Sequence, residues 1–226
     1  MGEKSKKTGI ILFDLDGTLI DSTAAIYASF CEAFERMGEN PPSLESVKSC
    51  IGHTLEDMFL QNNVPSGLVS EYVEHYRKHY RLMMEEGTKL LDGVKDAIER
   101  AYEMAYLGVV TTKRGDFSRI LLDRFGVGKY FDTMIGIESV DYPKPNAQPI
   151  LKAIHAIESQ HGIIQPERIF MVGDTPLDLI AAKNAKIQSV GVLCGYGKAT
   201  DMRDLTPFLC EHVLDAVDCI AQRLKI

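Results

Sequence analysis

The chain has 226 residues, 45% of them hydrophobic and 25% charged, and carries a formal net charge of −7. That balance fits a globular protein, and the negative charge argues against a nucleic-acid binder, which presents a basic face. No apolar run approaches the ~18 residues of a membrane-spanning helix, so the expectation is a cytoplasmic chain without membrane partners.

Met1–Thr8 is rich in lysine and has no apolar stretch behind it, so it does not read as a secretory signal. Gly2 is followed by Lys6 where myristoylation requires Ser or Thr, which leaves a short solvated tail. Gly9-Ile10-Ile11-Leu12-Phe13 follows as a continuous apolar run and stops at two aspartates, Asp14 and Asp16, one residue apart. Two like charges this close repel, and aspartate is a poor strand former.

Beyond Asp21 the periodicity changes. Ile26, Phe30, Phe34 and Met37 recur at helical spacing, as do Leu68, Tyr72, Tyr76, Tyr80 and Met83. These stripes predict a small all-helical domain over residues 21–86, ended by Gly87, with Gly52-His53-Thr54 as an interrupting loop. Arg77, Lys78, His79 and Arg81 form a basic cluster that either meets an anionic substrate or faces solvent.

Four further apolar runs follow: Tyr106–Val110, Thr133–Ile137, Arg168–Val172 and Lys186–Val192. Between the later runs lie helical patterns: Val94, Ala97, Ile98 and Ala101; Ile120, Leu121, Leu122 and Phe125; Ile150, Leu151, Ile154 and Ile157. Runs of this length, apolar on both faces and alternating with helices, predict a doubly wound, Rossmann-like α/β core with a parallel sheet. The core comprises residues 1–20 and 87–226, and the helical domain is inserted after the first strand. The five cysteines are odd in number, never spaced C-x-x-C, and read as reduced, mostly buried thiols.

The runs stop in polar residues: Asp14, then Thr111-Thr112-Lys113, then Gly173-Asp174-Thr175. Parallel strands share one carboxyl edge, where ligands bind, so Asp14, Asp16, Thr111 and Asp174 are brought together. Three carboxylates in one place call for a cation, and oxygen-only donors favour magnesium over zinc. Lys144, in Tyr142-Pro143-Lys144-Pro145-Asn146, stands before a helix for which Pro145 suits the first position. A cation there opposes the helix dipole, so a negative partner explains it better. Thr175 reads as an N-cap and Asp178 as the far side of a capping box, a role compatible with a contact to the metal site. The Gly195 and Gly197 pair reads as loop geometry.

Asp14-Leu15-Asp16-Gly17-Thr18-Leu19, Val109-Val110-Thr111, Lys144-Pro145 and Gly173-Asp174-Thr175-Pro176-Leu177-Asp178 resemble the four ordered motifs of the haloacid dehalogenase superfamily, phosphoglycolate phosphatase-like branch. The resemblance implies a magnesium-dependent phosphatase acting on a small phosphomonoester, phosphoglycolate-like or a sugar phosphate. Asp14 would be the nucleophile and Asp16 the acid and base. Magnesium would sit on the Asp14 carboxylate, the Asp16 backbone carbonyl and Asp174, with Thr175 and Asp178 behind. Thr111 and neighbouring backbone N–H groups would hold the phosphoryl oxygens, with Gly17 and Thr112 at the substrate, while Lys144 would neutralise the nucleophile and the transferring group. Gly52 and His53 resemble a loop that reaches the substrate from a mobile cap. A beta-phosphoglucomutase-like enzyme is the alternative, although Ile51 stands near the position of its cap arginine. A catalytically weak binding protein on the same scaffold is the other alternative, and the intact motifs do not favour it. The expected partner is a small phosphorylated metabolite, with the chain a monomer or homodimer.

Overall fold

The computed structural model describes residues 7–224, so most of the expected solvated tail lies outside the described residues. β1 (Gly9–Phe13) is buried along its whole length. A two-residue strand, β2 (Ile20–Asp21), follows, then four helices: α1 (Thr23–Arg36), α2 (Leu44–Ser49), α3 (Leu55–Gln61) and α4 (Val69–Met83). The chain returns through β3 (Lys89–Leu90), antiparallel to β2. It then alternates through α5 (Val94–Met104), β4 (Ala105–Val110), α6 (Gly115–Arg124), β5 (Thr133–Ile135) and α7 (Gln148–His161). The remainder is β6 (Ile169–Gly173), α8 (Pro176–Asn184), β7 (Gln188–Val192), α9 (Ala199–Met202), β8 (Leu209–Cys210) and α10 (Val213–Leu224).

One six-stranded sheet has the order β5-β4-β1-β6-β7-β8, with every neighbouring pair parallel. This is the doubly wound α/β fold that the alternating runs predict. From β1 the chain moves outward to β4 and β5, then crosses back to β6 on the other side of β1. The strand order therefore reverses between β1 and β6, and a crevice at such a point is where open α/β sheets bind ligands. The two-residue period divides β1 between two cores. Ile11 and Phe13 pack with α5 and α10 side chains such as Ile98 and Ile220, whereas Ile10 and Leu12 pack with Ile150 and Ile157 of α7.

The inserted helices carry their own aromatic cluster. Phe59 of α3 stacks on Phe30 of α1 with centroids 4.4 Å apart, and Tyr72 and Tyr76 of α4 close around it at 5.5 and 6.1 Å. Ser43 and Thr54 start α2 and α3 by accepting the N–H groups of Ser46 and Asp57, so Gly52-His53-Thr54 lies between two helices as expected. Phe59 is fully buried. Phe59→Ala is expected to cost about 3–5 kcal/mol through lost transfer energy and the cavity left behind. Urea denaturation measures this, and a loss below about 1 kcal/mol would mean that the insertion repacks around the gap.

Several details differ from the sequence reading. Pro145 does not begin a helix: α7 starts at Gln148, with Pro149 in its first turn. Asn146 explains the delay, because its N–H donates to the Pro143 carbonyl in a turn and its side chain accepts the Gln148 N–H. Among the cysteines only Cys50 is buried, and the other four are half-buried thiols. Leu68, Ile120 and Leu151 are exposed members of their stripes. The short strands β2, β3 and β8 were not expected, since two residues carry no periodicity.

Candidate active site

Asp14 follows β1 directly, and its N–H donates to the Val172 carbonyl at 2.9 Å, extending the β1–β6 ladder by one step. That register sets Asp14 beside the Gly173-Asp174 end of β6. Thr111 leaves β4 in the same way, donating to the Ile135 carbonyl at 3.0 Å. The strand ends therefore meet at one edge, as the sequence implied.

Lys144 crosses this edge from the loop before α7. Its ammonium has three N–H groups, and each has an acceptor: Asp14 Oδ1 at 2.6 Å, Asp178 Oδ1 at 2.5 Å and the Val110 carbonyl at 3.0 Å. Burial opposes its charge, but the Asp14 and Asp178 carboxylates outweigh that effect and hold Lys144 above the usual lysine range. Asp178 closes the expected capping box as well: its Oδ2 accepts the Thr175 N–H at 3.1 Å and the Thr175 hydroxyl at 2.7 Å. Asp178 thus fastens both the start of α8 and the lysine.

Asp174 is fully buried. The Thr18 hydroxyl donates to one of its oxygens and the Tyr196 N–H to the other, each at 2.8 Å. Carboxylate oxygens of Asp14, Asp174 and Asp178 lie within 4.8 Å of one another. Burial, with the neighbouring Asp178 and Asp16 charges, pushes Asp14 up to about 7 despite Lys144. Burial and the charges of Asp14 and Asp178 likewise raise Asp174 well above the usual carboxylate range. One ammonium does not balance three carboxylates, so the set favours a further cation. Its donors are all oxygen, which suits a hard divalent ion. Among the described residues no donor is paired with Asp14 Oδ2, which leaves that oxygen for such an ion or for chemistry.

Asp16 faces the other way. Its Oδ1 accepts the Ser22 hydroxyl and its Oδ2 pairs with Lys113 Nζ at 3.2 Å. Lys113 also donates to the Tyr80 hydroxyl of α4 at 2.8 Å. The Asp16 carboxylate is therefore outside the cluster: the third carboxylate beside Asp14 and Asp174 is Asp178, not Asp16 as the strand ends suggested, because Ser22 and Lys113 hold Asp16 away from it. Gly17 turns the chain with φ +87°, and a Cβ there would lie 2.3 Å from Asp174 Oδ2.

A cavity of about 60 Å³ opens between this edge and the insertion, lined among others by Asp16, Ile51, His53, Arg77, Thr112 and Lys113. Gly52 also lines it and accepts the Thr112 hydroxyl through its carbonyl at 3.1 Å. The predicted residues Gly52, His53 and Thr112 are thus brought together, while Thr111 accepts the Lys113 N–H at 3.1 Å. The basic cluster of α4 does not converge. Arg77 reaches the cavity but pairs with Glu56, Lys78 pairs with Glu74, and His79 bonds Ser29. Arg81 lies over the Phe117 ring.

Sequence reasoning missed Ser22, Lys113, Tyr80 and the Gly195-Tyr196-Gly197 loop. Lys113 stands in the quoted strand end, and a lysine next to two site threonines was the available signal. The loop glycines are more than loop geometry: a Cβ at Gly195 would sit 2.1 Å from Asp174 Oδ2, and one at Gly197 would sit 2.0 Å from the Asp174 carbonyl.

The sequence profile of haloacid dehalogenase-like hydrolases matches residues 11–192. Pyrophosphatase PpaX of Halalkalibacterium halodurans is 32% identical over 217 residues, which cover 95% of this chain and 98% of that protein. Pyrophosphatase PpaX of Bacillus velezensis is 34% identical over 194 residues, covering 83% and 84%. Among solved structures, a haloacid dehalogenase-like family hydrolase from Streptococcus pneumoniae superposes with a TM-score of 0.83 at 25% identity, covering 94% of this chain and 98% of that one. A profile match over most of the chain, joined to a relative 32% identical over nearly its full length, shows that the chain belongs to the haloacid dehalogenase-like hydrolase family.

Proposed function

We propose that the chain is a metal-dependent phosphatase that cleaves a small phosphomonoester or pyrophosphate through a phosphoryl group carried on Asp14. The observation that carries this reading is the pairing of Asp14 and Asp16. One is buried at the switch point with an oxygen on Lys144, and the other lines the cavity. Asp14 Oδ2 would attack phosphorus as the ester oxygen leaves with a proton from Asp16. Asp16 would then take a proton from the water that displaces Asp14 from phosphorus. Lys144 would offset charge at the attacking carboxylate, and Thr111 would line the phosphoryl site with Gly17 and Thr112. Asp14, Asp174 and the Asp16 carbonyl would hold magnesium, with Asp178 and Thr175 bracing them from behind. When bound, the ion supplies charge neutralisation at the phosphoryl oxygens.

The small cavity, with Arg77 and His53 in its lining, supports a compact anionic substrate. Pyrophosphate enters because two relatives carry that activity in their names; phosphoglycolate-like and sugar phosphates remain the phosphomonoester class. Ile51, buried and lining the cavity, offers no charge for the second phosphate of a sugar bisphosphate and supports hydrolysis over a mutase. We place the protein in the cytoplasm as a monomer or homodimer; no helix of the described residues is long and apolar enough to cross a membrane. Release of inorganic phosphate from pyrophosphate, 2-phosphoglycolate and sugar phosphates, with magnesium, tests the reading. Absence of phosphate release from every one of them would overturn it.

Metal removal gives a second readout. Excess chelator is expected to abolish turnover, and magnesium is expected to raise the melting temperature by relieving repulsion among buried carboxylates. At 100 times its dissociation constant the ion would add about 2.7 kcal/mol of stability. An unchanged melting curve across a magnesium titration would remove the ion from this site.

A further inference from the structure

Lys113 and Lys144 are both buried lysines paired with motif aspartates, yet they are held differently. Lys144 has all three of its N–H groups on core acceptors, so nothing outside the core affects it. Lys113 has two partners among the described residues. Asp16 belongs to the core, and Tyr80 belongs to α4 of the insertion. Its side chain is 8% exposed and its ammonium also lies 4.4 Å from the Tyr80 ring centroid. The other Asp16 partner, Ser22, immediately precedes α1. Both oxygens of Asp16 are therefore set by groups whose positions depend on where the insertion sits.

Resting on the function proposed above, we infer that Lys113 is a positioning residue that fixes the Asp16 carboxylate only while the insertion is seated, with the Tyr80 hydroxyl as its link to α4. Two contacts secure that arrangement. Tyr80 is fully buried between Tyr76 and Phe117, with ring centroids 5.5 and 5.6 Å away, so its hydroxyl has little freedom. Thr112, next to Lys113, donates to the Gly52 carbonyl of the insertion at 3.1 Å, so the strand-end loop is attached there too. If the insertion lifts away, Lys113 loses the acceptor that aims its ammonium, and Asp16 loses one of the two groups that orient it. Proton transfer would then be efficient only with the cavity closed, which keeps bulk water from the phosphoryl group until Asp14 has displaced the protonated leaving group.

The test uses the full chain with magnesium, and p-nitrophenyl phosphate and phenyl phosphate as substrates with good and poor leaving groups. Tyr80→Phe keeps the ring packing and removes the hydroxyl. It is expected to lower kcat on phenyl phosphate about tenfold, the worth of one hydrogen bond to a charged group. Lys113→Met is expected to lose about 10²-fold on the same substrate, the lower end of acid–base assistance. Both should affect phosphorylation by p-nitrophenyl phosphate far less, with KM within about threefold of wild type. Lys113→Arg should recover part of the loss, and Tyr80→Phe with Lys113→Met should be no worse than Lys113→Met alone. A raised KM with kcat intact would make Lys113 a substrate contact and overturn the inference. Equal losses on both esters, or additive losses in the double variant, would overturn it as well. Asp14→Asn assayed in parallel separates the two ideas: if it retains turnover, the proposed function fails whatever Lys113 does.

Discussion

Replacing Asp14 by asparagine is expected to end turnover and leave the fold in place. The amide oxygen is too weak a nucleophile to displace the ester oxygen, and removing a covalent nucleophile costs on the order of 10⁶-fold in kcat. The fold survives because the amide still offers an acceptor to Lys144, whose other two bonds go to Asp178 and Val110. The stability effect has a definite sign. Burial and like charges raise Asp14 from its ordinary 3.8 to about 7, so the folded protein binds a proton there that the unfolded chain releases. That contribution is fully present below about 3.8 and is lost as pH rises through about 7. Without magnesium, Asp14→Asn should therefore flatten the fall in stability across this window and melt above wild type at pH 8. Turnover within about tenfold of wild type would require another nucleophile, and a lower melting temperature at pH 8 would show that the Asp14–Lys144 attraction outweighs the repulsion.

Lys144→Met is expected to have the largest combined effect on stability and rate. Methionine fills the channel left by the lysine stem but leaves Asp14 and Asp178 facing each other without their shared cation. Removing one side of a buried charge pair costs about 3–5 kcal/mol, and losing a preorganised charge at a reacting centre costs roughly 10²–10³-fold in kcat. Lys144→Arg should not rescue either loss: a planar fork cannot place donors on three acceptors that converge on one point. Thermal melts and steady-state kinetics at saturating magnesium measure both effects. A variant that melts like wild type would show that the carboxylates are neutral without the lysine.

The sequence makes the sheet and most of its strand-end chemistry legible because both are local signals. An apolar run such as Gly9–Phe13 reports a doubly covered strand, and a polar residue just beyond it reports the ligand edge. Asp178 was legible for the same reason, since a capping box is a four-residue pattern. The Lys113–Tyr80 contact was not, because it spans 33 residues and joins a strand end to a helix whose tyrosines look like plain packing. Gly195 and Gly197 were misread because a glycine's purpose is the atom it lets approach, here Asp174, and that atom lies far away in sequence. Pro145 misled through a preference that is real at helix starts but yielded to the Asn146 turn.

The antiparallel pair β2–β3 is only two residues long in each strand, yet both chain crossings between the insertion and the core run through it. Ile20 is opposite Leu90 and Asp21 opposite Lys89, while the Gly87 carbonyl accepts the Ala25 N–H at 3.3 Å. A side chain at Gly87 would meet the Ala25 backbone at 2.8 Å, so the two crossings run in close contact there only because this residue has none. If the insertion opens as proposed above, two tethers laced side by side would oppose sliding and twisting and favour a swing about the axis of the pair. The helices would travel as a door on a single pin, and every return would bring Tyr80 back to the same address.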